Sequence, residues 1–521
     1  GRRRPRGAGA VTGRDASVVV VGAGVGGLAC AIDLAAAGAR VRVFERAAGP
    51  GGKARALEVG GAEFDGGPTV LTMPWVFDEL FDAAGASFRA EVGLERASVL
   101  ARHAWRDGTR LDLYADRQRS ADAIGEAFGP REASAYLDFC DDGRRMYELS
   151  EAAFLRAQRP TLGGIVRQFG AAGLGALARL DGHRTMWRAL EQRFAAPRLR
   201  QLFGRYATYC GSSPFEAPGT LNLVAHVEAE GVYRARGGMR ALAAALDRLA
   251  RSLGVELLYG HGVERILVER GRAAGVVAGG AAHAADAVVF NGDVSALGAG
   301  LLGAPAARAA PATPPEARSL SAVTWAARAR ASGFPLAHHN VFFADDYAAE
   351  FDAILRRRRV PDEPTVYVCA QDRGGDAPPP AEERLLVLVN APATGDAPER
   401  WNEPERERCT NATLTLLRRA GLTLETSASV QTTPADYHRL FPATGGALYG
   451  PRSRGPLAAL SRQAAASKVP GLYLAGGSVH PGPGVPMSAL SGRLAAAQAL
   501  LDLASTGRSR PAATTGTTST D

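Results

Sequence analysis

A run of glycines near the start constrains this chain more than any other feature. Ser17–Val21 is a pure β-forming stretch, and it leads straight into Gly22-Ala23-Gly24-Val25-Gly26-Gly27 and then the Ala/Leu-rich stretch Leu28–Ala37. That order reads as strand, tight turn, helix. Gly22 permits the sharp turn, Gly24 lets the backbone approach a pyrophosphate, and Gly27 lets helix and strand pack closely. The helix N-terminus then offers unpaired N–H groups and a positive dipole end to an anion. A second β run, Val41–Phe44, ends at Glu45, where an acid can hold ribose hydroxyls. A lone glycine fingerprint is weak; one set between two strands and followed by this acid is a dinucleotide site.

The residues after Glu45 narrow the dinucleotide. The chain continues Arg46-Ala47-Ala48-Gly49-Pro50-Gly51-Gly52-Lys53-Ala54-Arg55 and then Phe64-Asp65-Gly66-Gly67-Pro68-Thr69. Near the other end, Gly471–Ala475 runs as a strand into Gly476-Gly477, Ser478-Val479-His480-Pro481-Gly482-Pro483-Gly484-Val485-Pro486 and an Ala-rich helix from Met487 to Leu503. With these segments the chain resembles the phytoene-desaturase-type carotenoid desaturases of the flavin amine-oxidase superfamily, over essentially residues 17–505. The resemblance implies an α/β fold, with an FAD-binding Rossmann-like domain interleaved with an α+β substrate domain. It places Gly22, Gly24, Gly26, Gly27, Glu45, Arg46, Gly52, Lys53, Gly67, Pro68, Thr69, Val263, Gly476, Gly477, Pro486 and Met487 along FAD. Lys53 and Arg55 are expected to offset phosphate charge. The helix after Pro486 is expected to point its N-terminus at the pyrimidine end of the flavin.

Softer text narrows the branch. Pro68–Phe81, Leu100–Trp105 and Arg205–Pro218 are most similar to the 1-hydroxycarotenoid 3,4-desaturase and methoxyneurosporene dehydrogenase branch of phototrophic bacteria. Phytoene desaturases typically carry Asp-Pro where this chain has Met73-Pro74. Gly477 stands where many amine oxidases have an acid, and there is no Cys attachment motif near the C-terminus.

Size and composition fit such an enzyme. At 521 residues the chain is long enough for two or three domains. The resemblance divides it into a tail (1–16), FAD-binding parts (17–100, 226–305, 461–504), substrate-domain parts (101–225, helical, and 306–460) and a second tail (505–521). Both tails are expected to be disordered. Helical spacing marks Glu132–Glu148, Thr185–Phe194, Pro197–Tyr209 and Gly237–Leu253, and short β runs follow from Val255 to Asn291. Further strands are expected near Thr365–Ala370 and Leu385–Asn390. Five cysteines without C-x-x-C spacing suggest a reducing compartment and no metal site, and His338-His339 has the wrong spacing for a metal pair. The net charge of +8 is almost all arginine, Lys53 and Lys468 being the only lysines, and no nucleic-acid motif accompanies it.

Desaturation removes two hydrogens from adjacent carbons, one as hydride to flavin and one as a proton. Beside a polyene the cationic character left by hydride loss makes that proton acidic, so orientation and exclusion of water matter more than a strong base. His480 is the catalytic candidate; the sequence supports a base and a clamp on the turn before Pro481 equally. His103 reads as a histidine satisfied on a strand. Trp75, Phe77, Phe81, Trp105, Tyr206 and Tyr209 are candidates to line an apolar tunnel for an acyclic carotenoid; aromatics at helical spacing are more often plain core, so only some of the set are expected to touch substrate. A hydroxylated substrate would need one polar donor in the tunnel, which the sequence does not identify.

The substrate lives in a bilayer, so a cytoplasmic protein lying peripherally on the inner or photosynthetic membrane is expected. Thr161–Leu180 and Phe351–Val360 are the two candidate contacts, and a solvated arginine face on an ordinary helix is at least as good a reading of the second. Oxygen or a quinone is expected to reoxidise the flavin, with no nicotinamide cofactor. The reading centres on a desaturase of the 3,4 bond. Phytoene or neurosporene desaturase, carotenoid isomerase and a non-catalytic prenyl-protein-binding protein are the alternatives.

Overall fold

The computed structural model describes residues 15–159, 161, 180–375, 377–456 and 458–508. The Thr161–Leu180 candidate and both terminal tails fall, apart from their inner ends, outside the described residues; at the C-terminal side the last helix runs on to Arg508.

Two large sheets organise the molecule. The first is parallel, in the order Leu472–Leu474, Ala287–Phe290, Ser17–Val21, Arg40–Glu45, Glu256–Tyr259. Strands drawn from near both ends of the chain and from its middle thus lie side by side. Val18, Val19 and Val20 are fully buried at its centre, as an all-apolar run in a doubly covered parallel sheet must be. The helix Val25–Ala36 follows the first glycine turn and packs on the closing helix Val485–Arg508 and on Met239–Ser252.

The second sheet has seven strands, in the order Thr423–Thr432, Ser321–Ser332, Glu383–Ala391, Val366–Ala370, His339–Phe342, Val99–Ala104, Arg110–Tyr114. Its last two strands come from residues 99–114, at the head of the stretch expected to be helical. His339–Phe342 joins Val99–Ala104 in parallel, so pieces far apart in sequence share one surface. The helices Pro130–Ser150, Met186–Arg193, Pro197–Gly204 and Val224–Glu230 cover it. The helix expected over Pro197–Tyr209 ends at Gly204, and a 3₁₀ turn, Arg205–Cys210, takes over. That change of pitch re-aims Arg205 and Tyr209.

The Phe351–Val360 candidate for membrane contact is corrected by its packing. Phe351 and Ile354 are buried with Leu320 and Tyr347, so the apolar side of this helix already faces the core. Arg356 and Arg357 pair with Asp352, and Arg359 with Asp362, on the outer side. No apolar face is left there for lipid. Among the described residues no helix is long and apolar enough to cross a membrane.

Candidate functional site

The glycine turn is built so that only glycine fits. A methyl group on Gly27 would lie 2.1 Å from the carbonyl oxygen of Gly22, and one on Gly26 would lie 2.7 Å from the Ser488 carbonyl oxygen. The backbone therefore lies bare at the mouth of the first helix. Gly24 at that N-terminus supplies no side-chain cap, and no acid occupies the first turn. Free N–H groups and the helix dipole are left for an anionic ligand. Glu45 closes the far side: its carboxylate accepts from the Ala23 and Ala47 N–H groups, both at 2.8 Å. A carboxylate has lone pairs beyond these two bonds, so it can also take a sugar hydroxyl.

Asn291 is a cradle residue that the sequence reading did not single out. It follows the strand Ala287–Phe290, and its Nδ2 donates to the Gly22 carbonyl at 3.2 Å. Its side chain fills the space beneath Gly24, Gly26 and Gly27. The signal available was an asparagine just after an apolar strand, which is common enough to carry no weight alone.

From this cradle a single cavity of about 1370 Å³ runs into the substrate lobe. Ordinary small-ligand pockets occupy ~300–1,000 Å³, so this one has room for more than one such ligand. Gly22, Gly24, Gly26, Glu45, Arg46 and Gly52 line one end, and Lys53, Gly67, Pro68, Thr69 and Val263 continue the wall. Gly476, Gly477, Pro486 and Met487 bring in the C-terminal turn. Of the residues expected along FAD only Gly27 is off the wall, lying beneath the turn where its close packing on Gly22 puts it.

Lys53 and Arg55 reach toward the substrate lobe. Lys53 Nζ donates to the Leu448 carbonyl at 2.6 Å and lies 5.2 Å from the Phe441 ring centre. Burial pushes its pKa down, and the Asp293 carboxylate partly offsets this. Arg55 donates to Thr432 Oγ1 and sits over the Tyr437 ring. Their partners are thus in the second lobe.

His480 and His103, the two histidines singled out in the sequence, are not on the cavity wall. His480 Nε2 donates to the Ala157 carbonyl at 2.9 Å, and its ring packs edge-on to Phe154. Burial lowers its pKa to about 4, and among the described residues its buried Nδ1 has no hydrogen-bond partner. The neighbouring Pro481 lines the cavity wall, whereas His480 does not. His103 sits on a strand with its Nδ1 on the Leu111 carbonyl, its pKa also lowered to about 4 by burial.

Of the aromatic candidates, Tyr209 lines the cavity. Phe77 and Phe81 are packed against Phe88 in the core beneath the first helix. Trp75 packs against the same cluster and is capped by Arg156. Trp105 is stacked on Phe343 and donates its indole N–H to Gln201. Tyr206 is buried, donating its hydroxyl to Glu228. The apolar part of the wall comes instead from Leu221, Val224, Val227, Leu386, Leu388 and Phe441. Aromatic spacing marked these stretches as structured but did not say which side of each ring meets the void.

The comparisons agree with this geometry. The family model for flavin containing amine oxidoreductases matches residues 25–500. The chain is 54% identical to a hydroxyneurosporene desaturase of Rubrivivax gelatinosus, covering 96% of this chain and 97% of that one. It is 46% identical to the hydroxyneurosporene desaturase of Cereibacter sphaeroides, over 94% and 99% of the two chains. It is 31% identical to a 1-hydroxycarotenoid 3,4-desaturase of Flavobacterium sp., over 92% and 98%. Among solved structures, wild-type putrescine oxidase bound to putrescine is similar at a TM-score of 0.57, with 16% identity and 94% and 99% coverage. Cyclohexylamine oxidase from Brevibacterium oxydans is similar at 0.55, with 16% identity and 95% and 100% coverage. These two likenesses show the fold alone. The chain therefore belongs to the flavin-containing amine oxidoreductase family and, within it, to the carotenoid-desaturase branch. The cofactor of this family is FAD, and the glycine cradle, the uncapped helix and Glu45 fit that dinucleotide.

Proposed function

We propose that this chain is an FAD-dependent desaturase that introduces the C3–C4 double bond into acyclic carotenoids carrying a hydroxyl or methoxyl group on C1. The observation that carries this reading is the single cavity, whose wall includes both the glycine cradle and the apolar side chains of the substrate lobe. The names of the relatives supply the bond and the substrate class.

When bound, FAD supplies the two-electron acceptor. The chain's residues do the rest. The glycine turns and Glu45 would hold the dinucleotide, the Gly22–Gly26 turn and the Gly476–Met487 turn both being on the cavity wall. Leu386, Leu388 and Val227 hold the polyene by apolar contact and exclude water. The carbon that loses its proton is made acidic by the conjugated chain, so positioning is the larger share of the work. His480 serves in this reading as a clamp, tying the turn before Pro481 to Ala157.

The substrate is drawn from a bilayer, so the protein works at the membrane surface, and oxygen or a quinone takes the electrons. Domain boundaries follow the interleaved pattern: cofactor parts near 17–100, 226–305 and 461–504, with the substrate lobe between them.

The test is conversion by the FAD-loaded protein with liposomes carrying an acyclic 1-hydroxycarotenoid. The expected product has one more conjugated double bond, two fewer hydrogens and absorption at longer wavelength. A product with an unchanged hydrogen count would make the protein an isomerase. Reaction with phytoene alone would move it to another desaturation step. Flotation with the liposomes checks the membrane surface separately.

A further inference from the structure

We propose that Arg205, together with Tyr209 and Glu228, forms the subsite that receives the oxygen on C1 of the substrate. The proposal rests on the desaturase reading above and supplies the polar donor that a hydroxylated or methoxylated chain end requires.

Arg205 lines the cavity from the 3₁₀ turn Arg205–Cys210. Its guanidinium carbon lies 5.2 Å from the centre of the Tyr209 ring and 5.3 Å from that of Tyr367. Nη1 donates to the Tyr209 hydroxyl oxygen at 2.9 Å. That is the guanidinium's one hydrogen bond among the described residues, and no carboxylate among them lies within ion-pair distance of it. Arginine has no acceptor and does not lose its proton, so its remaining N–H groups need an acceptor. The two tyrosine faces offer only their π clouds. A cation left facing an apolar void is costly, and an oxygen of the ligand would relieve it.

Glu228 explains why a neutral oxygen suits the place better than an anion. It also lines the cavity, and its two oxygens accept from the hydroxyls of Tyr206 and Tyr209. Arg205 and Glu228 are thus bridged through Tyr209, cation and anion in one cluster. A carboxylate ligand would meet Glu228 at close range. An ether oxygen can accept from Arg205, and a hydroxyl can do so while its own proton turns toward the tyrosine–glutamate side.

The placement fits the chemistry. An oxygen on C1 lies only two carbons from C3, so whatever holds it must sit beside the bond being oxidised. Tyr367, against which Arg205 stacks, shares a hydrogen bond of 2.7 Å with Thr69. Thr69 follows Gly67 and Pro68 on the cofactor end of the wall. One ring therefore separates the guanidinium from the segment where the resemblance expects flavin. The same neighbourhood would be the wrong place for a cation if the reacting end were pure hydrocarbon.

The test uses FAD-loaded protein and two acyclic carotenoids that differ only in the C1 oxygen. Turnover is read as kcat and KM for each, and binding is read by the carotenoid absorption change. Wild-type protein is expected to favour the oxygenated substrate by at least roughly tenfold. Arg205→Met is expected to lose about ten- to a hundredfold in kcat/KM and in affinity for that substrate. Its values for the unoxygenated one should stay within about threefold, so that the preference collapses. Arg205→Lys is expected to recover part of it. Lysine also carries the test if the methionine variant does not fold, since a smaller loss confined to the oxygenated substrate is then expected. Equal losses on both substrates with FAD retained, or a wild type without preference, would overturn the subsite and leave the desaturase reading standing. A wild type that converts neither carotenoid would overturn both.

Discussion

His480 shows how much of a site residue's behaviour is set by where its ring is tied. Its Nε2–H is spent on the Ala157 carbonyl, and burial, with Arg462 nearby, holds the ring neutral. The folded pKa is about 4 against an ordinary 6.5. The unfolded ring therefore takes up a proton first as pH falls. The stability that the neutral ring contributes is complete above about 6.5 and is lost as pH falls toward about 4. Comparison of wild type with His480→Asn isolates this term, because His103 and Glu350, whose pKa values are also shifted, cancel in the difference. The gap in unfolding free energy is expected to shrink by about 3 kcal/mol between pH 7 and pH 4. Denaturant unfolding at the two pH values measures it, and an unchanged gap would contradict the assignment. The sequence showed a histidine beside the flavin turn. It could not show Ala157, which lies more than three hundred residues back.

At the scale of elements, the glycine motif was legible from its spacing and from the packing of Gly27 on Gly22 within one turn, whereas Gly24 and Gly26 answer to Asn291 and Ser488 far along the chain. What the segments meet was less so. The indole of Trp105 finds Gln201, and the strands at 99–114 find His339–Phe342; neither pairing has a local signature. The 3₁₀ turn at Arg205 breaks a stretch whose spacing read as continuous helix, and the cavity cation hangs on that break. The contact between the first and last helices illustrates the same point. Gly492 in the closing helix lies against Gly26, and a methyl group there would sit 1.9 Å from the Gly26 carbonyl oxygen. Arg493, the next residue, pairs with Asp33 of the first helix and with Glu79. Gly492→Ala is therefore expected to push the two helices apart, costing about 1–3 kcal/mol, and to weaken FAD retention because the glycine turn moves with its helix. Thermal unfolding and flavin absorbance after gel filtration read the two effects. Full flavin retention with an unchanged Tm would mean that the helices tolerate the separation.

The order of strands in the parallel sheet carries a consequence for the whole molecule. Leu472–Leu474 and Ser17–Val21 flank Ala287–Phe290, so three stretches of sequence end together at one edge of the cavity. Asn291 joins two of them, donating to Gly22 and packing against Gly476. The strand ladder and the side chains of Asn291, Ser478 and Ser491 tie that junction together, and the turns beyond it face the cavity. A dinucleotide that touches all three stretches would add contacts on the cavity side, and binding to the folded state alone stabilises it by about 3–4 kcal/mol at ligand concentrations roughly 100–1,000 times Kd. Removal of FAD is accordingly expected to loosen the Gly22 turn and the Gly476–Met487 turn together, with little change in Ser321–Ser332 or Glu383–Ala391. Amide hydrogen exchange of holo and flavin-stripped protein separates the cases: protection lost in both turns, with the large sheet unmoved, is the expected pattern. Loss spread evenly over both sheets would mean that cofactor and substrate lobes fold as one unit, and loss at one turn alone would mean that the chain's ends do not close on a shared ligand.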